Sequence, residues 1–308
     1  MKNFKLQTTP SFFNAPFGNL KDLSESTVAV AGVYCDHYGG GTPGSRFAPR
    51  QIRYSNWPEE SIFHKRDSEM QVVDIGDLNV FPLEPERNYS ILKEQSIKIM
   101  STGARLLSIG GDYSITPALI DGVLTALPGL SLGVIRVSRR LDLSSKEGLL
   151  GVSPSRCRTT DKIAESFSSG NKIIALIGVS SFVPVEEISD NCSAFIIPAT
   201  RLVSEMAIVI DEICIKWGKQ FNGFYLSIDA DVLEPGPIDT AFLKAYTGVS
   251  LECLLSLINK ISGLPILAAD FTGFLPDIDI TGRTGAVIAE EIAFSVVKAL
   301  RGGEKKCS

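Results

Sequence analysis

Short apolar or β-branched runs alternate along this chain with stretches whose apolar residues recur every three or four positions. The runs at 27–32, 70–74, 105–110, 132–137, 172–178, 194–197, 223–228 and 265–270 read as strands. Helical periodicity fills the intervals at 48–57, 88–102, 116–127, 160–168, 204–217, 250–261 and 285–300. Strands joined by crossover helices imply a mostly parallel sheet covered on both faces. The prediction is one α/β domain over residues 1–308, a three-layer αβα fold about an eight-stranded, mostly parallel sheet. Residues 1–26 are expected as an N-terminal arm and 302–308 as a flexible tail.

The seventh run closes on Leu226-Ser227-Ile228-Asp229-Ala230-Asp231. Alternation along a strand puts Asp229 and Asp231 on one face, so both leave the sheet together at its end. Open α/β sheets build their sites there. By themselves the two aspartates also suit a turn or a cap. The third run closes on Gly110-Gly111-Asp112-Tyr113-Ser114, with Ser114 or Thr116 placed to cap the next helix. Two glycines before a helix can cradle phosphate, but the spacing of a P-loop or dinucleotide fingerprint is absent.

The 308 residues are 44% hydrophobic and 21% charged, enough apolar material for one large core. Net charge is -5, and the basic residues near the C-terminus form too short a cluster for a nucleic-acid surface. No apolar run approaches the ~20 residues that span a bilayer, and Met1-Lys2-Asn3-Phe4-Lys5 leads into polar sequence unlike a signal peptide. Neither nucleic acid nor membrane is expected as a partner. The cysteines at 35, 157, 192, 214, 253 and 307 form no C-x-x-C pair, as expected for reduced thiols in a cytoplasmic protein. Histidine, the usual metal ligand and acid–base group, occurs only at His37 and His64.

Several segments share a family pattern. Pro10-Ser11-Phe12-Phe13-Asn14-Ala15-Pro16 comes first. Ala31-Gly32-Val33-Tyr34-Cys35-Asp36 follows, then Gly44-Ser45-Arg46-Phe47-Ala48-Pro49-Arg50-Gln51-Ile52-Arg53. Asp74-Ile75-Gly76-Asp77, the Gly110 motif and the Asp229 motif come next, and Ala269-Asp270-Phe271 and Thr281-Gly282-Arg283-Thr284-Gly285-Ala286 close the series. Together they cover nearly the whole chain and resemble the ureohydrolases (arginases, agmatinases and guanidine hydrolases), in the agmatinase branch.

That resemblance implies the arginase-like fold and assembly into trimers or hexamers. It also implies two manganese ions, occasionally nickel, between six ligands at strand ends, where they acidify the water that attacks a guanidinium carbon. Carried over position by position, the ligand set is depleted. Tyr113 stands where the family has a histidine. The Asp-Ala-His-x-Asp segment reads Ser138-Arg139-Arg140-Leu141-Asp142, so Ser138 replaces a carboxylate that bridges both metals and Arg140 replaces a histidine. Asp142, Asp229 and Asp231 remain. These six positions mark a former metal-site pocket without a nitrogen ligand, and no metal or other cofactor is expected to bind. The candidate rim is His37, Ser153 in the family's histidine-bearing loop, Asp239 and Lys244 in its Pro-Gly-Thr-Gly-Thr-Pro loop, and Gly273, where the family has the glutamate that grips the guanidinium.

Two readings of the arginines stay open. Arg139 and Arg140 form a solvated surface pair, or the Arg140 guanidinium enters the acidic pocket in place of the metals. Tyr113 and Ser138 either fill volume left by lost ligands or contact a ligand. The leading functional expectation is a noncatalytic ureohydrolase-like protein, a pseudoenzyme acting by binding or assembly as a homo-oligomer or with an active ureohydrolase paralog. One alternative is metal-independent chemistry on an amino acid or guanidino compound, a small-molecule ligand for Tyr113, Arg140, Asp142 and the carboxylate pair. The other is a residual metal-dependent amidino hydrolase.

Overall fold

A computed structural model describes residues 10–36, 43–55, 70–81, 84–142, 159–167, 173–180, 193–234, 248–278 and 284–302. Strands β1 (Thr27–Val33), β2 (Gln71–Leu78), β3 (Arg105–Ile109), β4 (Leu132–Val137), β5 (Ile173–Val179), β6 (Ser193–Pro198), β7 (Gly223–Asp229) and β8 (Ile266–Thr272) form one sheet. Their order is β2-β1-β3-β8-β7-β4-β5-β6. Every ladder is parallel, so the sheet predicted as mostly parallel is wholly so among the described residues. The helices are α1 (Ala48–Ser55), α2 (Pro85–Met100), α3 (Ile115–Ala126), α4 (Thr159–Ser166), α5 (Ala199–Ser204), α6 (Met206–Asp211), α7 (Leu251–Ile261) and α8 (Thr284–Gly302).

Two-residue alternation sorts each strand's side chains between two cores. Val30, Ile109, Val137 and Ile228 pack with α1, α7 and α8 through Ile52, Leu257 and Ile292. Ala31, Leu106, Val134 and Tyr225 pack with α2, α3 and α4 through Leu92, Leu119 and Ile163. This is the αβα sandwich, and it explains why central strands such as β4 are buried along their whole length.

Several boundaries shift by a few residues from expectation, and three of the shifts have structural consequences. β2 continues past its predicted end at 74, through Gly76 at φ +80, to Leu78. The predicted helix 204–217 starts earlier, directly after Pro198, and breaks at Glu205 (φ -129, ψ 29). Arg201 spans the break, pairing with Glu205 at 3.0 Å and Glu212 at 3.1 Å. A π-helical turn over Glu212–Trp217 then keeps Val209, Ile213 and Trp217 in the core. α8 reaches Gly302, so residue 302 is helical rather than the start of a tail, and 303–308 lie outside the described residues.

The N-terminal arm is anchored by polar groups under an apolar cover. The Asp74 backbone accepts from Gly18 and donates to Pro16, each at 3.0 Å, which covers part of the β2 edge. The Asp74 carboxylate accepts from the Phe12 amide at 2.9 Å and from Arg53 Nε and Nη2 at 2.9 and 3.0 Å. The Arg53 guanidinium lies 3.9 Å from the centre of the buried Phe12 ring. Among the described residues no helix is long and apolar enough to cross a membrane.

Candidate functional site

Four adjacent strands at the centre of the sheet, β3, β8, β7 and β4, deliver the candidate residues beyond their C-terminal ends. The turn after β3 carries Tyr113. Asp229 ends β7, and Asp231 lies on the 3-10 turn Ala230–Val232 that follows. The two aspartates therefore do not lie on one extended strand; the Asp229 carboxylate accepts the Asp231 amide at 3.3 Å across the turn. Ser138, Arg140 and Asp142 follow β4, with Asp142 held in a left-handed conformation at φ +48. Gly273 follows β8 at φ +79, and a Cβ there would collide with Asp229 Oδ1. Any side chain at this position is strained by that φ and fits only if the Asp229 carboxylate moves.

The structure brings Tyr113, Ser138, Arg140, Asp142, Asp229 and Asp231 into one cluster, in which Arg140 is partly buried and the other five are buried. Arg140 sits among the three carboxylates, with Nε 3.1 Å from Asp231 Oδ2, Nη2 3.6 Å from Asp229 Oδ2 and Nε 3.8 Å from Asp142 Oδ1. Its guanidinium carbon lies 3.9 Å from the centre of the Tyr113 ring. The Arg140 amide donates to Ser138 Oγ at 3.2 Å, and Ser138 Oγ lies 3.5 Å from Asp229 Oδ2. A solvated Arg139–Arg140 surface pair is overturned: both residues are largely buried, and the Arg140 side chain is 15% exposed. Of the rim candidates, Gly273 adjoins the cluster, whereas His37, Ser153, Asp239 and Lys244 lie outside the described residues, as does His64.

A second arginine completes the cluster, and sequence reasoning missed it. Arg136, inside β4 and fully buried, places Nη2 2.5 Å from Asp142 Oδ2 and 3.9 Å from Asp229 Oδ2. Its Nη1 donates to the Arg140 carbonyl and to Thr160 Oγ1 of α4, both at 3.2 Å. The signal was present: an arginine within Leu132-Gly133-Val134-Ile135-Arg136-Val137 has no place in a doubly covered strand without a buried carboxylate.

Register extends this polarity across the sheet. Arg136 pairs with Ser227 on β7, Ser227 with Asp270 on β8, and Asp270 with Ser108 on β3. These four buried residues form a polar row on the α2–α3–α4 side, at the end of an otherwise apolar face. The Asp270 carboxylate accepts from Tyr225 Oη and Ser227 Oγ, each at 2.7 Å. Burial pushes its pKa up to about 6, although those hydrogen bonds pull it down. At Gly110 and Gly111 a Cβ would run into the Pro49 ring and the Cys35 carbonyl, so these glycines allow close packing. The expected Ser114 or Thr116 cap is not the one used: Asp112 accepts both the Ser114 amide at 3.0 Å and its hydroxyl.

Charges within the cluster nearly balance. Burial lowers the pKa of both guanidiniums, but Asp142 and Asp229 lift Arg136 above its ordinary value, and Asp142, Asp231 and Asp229 lift Arg140 well above it. Burial and the Asp231 carboxylate raise Asp229 well above the usual carboxylate range, against the pull of Arg140 and Arg136.

The parallel sheet, with carboxylates gathered at its central C-terminal edge, places this chain in the arginase-like αβα class. The Arginase family model matches residues 26–298, and the chain belongs to that family. A mitochondrial agmatinase of Gallus gallus is 26% identical over 291 residues, covering 89% of this chain and 81% of its own. A formimidoylglutamase of Klebsiella pneumoniae (strain 342) is 25% identical over 280 residues, covering 87% and 84%. The solved proclavaminate amidino hydrolase of Streptomyces clavuligerus shares the fold, with a TM-score of 0.77 and 21% identity over 96% of this chain and 98% of that one.

A dinuclear manganese centre, the cofactor that family resemblance implies, does not fit the residues present. Its ligand positions supply a phenol, a hydroxyl and a guanidinium in addition to three aspartates, and two permanent cations already engage those aspartates. Among the described residues no group of three or more His, Cys, Asp or Glu is placed to hold a metal ion.

Proposed function

We propose that this chain is a pseudoenzyme of the arginase family, a noncatalytic ureohydrolase-like protein that acts by binding or assembly. Its partner is a further copy of itself or an active paralog. The observation that carries this reading is the Arg140 guanidinium seated among Asp142, Asp229 and Asp231. Metal-activated hydrolysis needs carboxylates free to hold two cations. Here both arginines engage them, the Tyr113 ring packs against the Arg140 guanidinium, and Gly273 offers no carboxylate to a substrate guanidinium. The relatives' names describe their chemistry; a shared scaffold does not transfer it.

The test uses one sample, purified from cells grown with manganese or nickel. Elemental analysis is expected to give far less than one metal ion per chain. No urea is expected from arginine, agmatine, guanidinobutyrate or guanidine, and no turnover of formiminoglutamate. Light scattering is expected to show a multimer, alone or after addition of a paralog. About two metal ions per chain, with turnover that Asp229→Ala abolishes, would overturn the reading.

A further inference from the structure

Building on that reading, we infer that Asp142, Asp229 and Asp231 form a guanidinium receptor filled in cis. Arg140 is its resident ligand, and the site takes up a free guanidinium ion once that side chain is removed.

Shape separates a guanidinium from other cations. The Arg140 nitrogens spread over different aspartates, Nε toward Asp231 at 3.1 Å and Nη2 toward Asp229 at 3.6 Å. A planar, delocalised cation can do this while lying on an aromatic ring, as it does on Tyr113 at 3.9 Å. An ammonium offers no plane to stack. A divalent metal would meet the fixed charge of Arg136, 2.5 Å from Asp142. Arg136 is part of the receptor wall, since it lies fully buried within β4. Arg140 is 15% exposed, so it stands at the mouth, where a small cation can replace it, while each aspartate side chain is 1% exposed.

The backbone of residue 140 is held from both sides. Its amide donates to Ser138 Oγ and its carbonyl accepts from Arg136 Nη1, both at 3.2 Å. Residues at two former metal-ligand positions therefore fix the new cation: Ser138 holds its backbone and Tyr113 supports its plane. Such pre-organisation lowers the entropy lost on seating the side chain.

The first measurement is made on the parent protein. In ¹⁵N NMR the Arg140 Nε–H is expected to exchange slowly and to be ring-current shifted, and Arg140→Lys removes that signal. The second is on Arg140→Ala, which is expected to melt below the parent and to regain stability with millimolar methylguanidinium. Binding should be at least about tenfold tighter than to the parent or to Arg50→Ala. Urea, of the same shape but uncharged, is expected to have no such effect at equal concentration. A solvent-like Arg140 Nε–H in a metal-free parent overturns the inference and leaves the pseudoenzyme reading standing. So does an Arg140→Ala protein that binds methylguanidinium no better than Arg50→Ala does, or that takes up manganese instead. If Arg140→Ala does not fold, the parent spectrum and Arg140→Lys decide. Metal-dependent turnover by the parent is the separate outcome that defeats the earlier reading.

Discussion

Replacing Arg136 with methionine keeps most of the side chain's length and removes its charge. Asp142 then loses the partner at 2.5 Å and, among the described residues, keeps Arg140 at 3.8 Å. Thr160 and the Arg140 carbonyl each lose a donor at 3.2 Å. Arg136, Asp142 and Thr160 are buried, so water cannot replace that contact between charges without rearrangement. Removing one member of a buried ion pair costs ~3–5 kcal/mol, because the surviving charge stays desolvated. At ~2 °C per kcal/mol for a chain of this size, Tm falls by roughly 6–10 °C. Urea denaturation at neutral pH measures the loss directly. A double-mutant cycle with Asp142→Asn isolates the pair, and asparagine suits the φ of +48 at that position. The double variant should recover ~1–3 kcal/mol relative to the sum of the single changes. Strict additivity, or an Arg136→Met protein within about 1 kcal/mol of the parent, would show that this arginine is not the buried counter-ion described here.

Asp270 should make stability depend on pH. Its pKa of about 6 when folded lies above the ordinary carboxyl value of 3.8, so the folded state alone holds the proton between those values. The resulting stability is fully present below pH 3.8 and is lost as pH rises through about 6. The shift corresponds to ~3 kcal/mol. The stability of the parent relative to Asp270→Asn should fall by that order between pH 4 and 7, and a difference that does not change with pH refutes it. Reinstating the family's glutamate by Gly273→Glu should not restore amidino hydrolysis. Even Gly273→Ala should cost at least ~1–2 kcal/mol, through its left-handed backbone and the clash with Asp229; parental stability in the alanine variant counts against this geometry.

Much of the architecture was legible because it depends on near neighbours in the chain. The full burial of β4 follows from its apolar run, and the helical periods on either side imply crossovers and hence a parallel sheet. Family membership was legible for the same reason, since spaced motifs such as Gly110-Gly111-Asp112 and Asp229-Ala230-Asp231 are properties of the chain itself. The break at Glu205 was not, because the helical period continues across it and Arg201 reaches both Glu205 and Glu212 only once the backbone has turned.

The site divides in the same way. From the sequence alone came the list of substituted positions, with two readings left for Arg140. Only the tertiary structure decided between solvent and pocket, since the distance from Arg140 to Asp229 and Asp231 depends on β4 lying beside β7. The same register joins Arg136 to Ser227, Asp270 and Ser108, which are far apart in sequence. Periodicity identifies which face a residue occupies on its own strand, but not which charge will face it from the next. A buried arginine in the sequence therefore signals that a carboxylate must be near, and strand order and register determine which one.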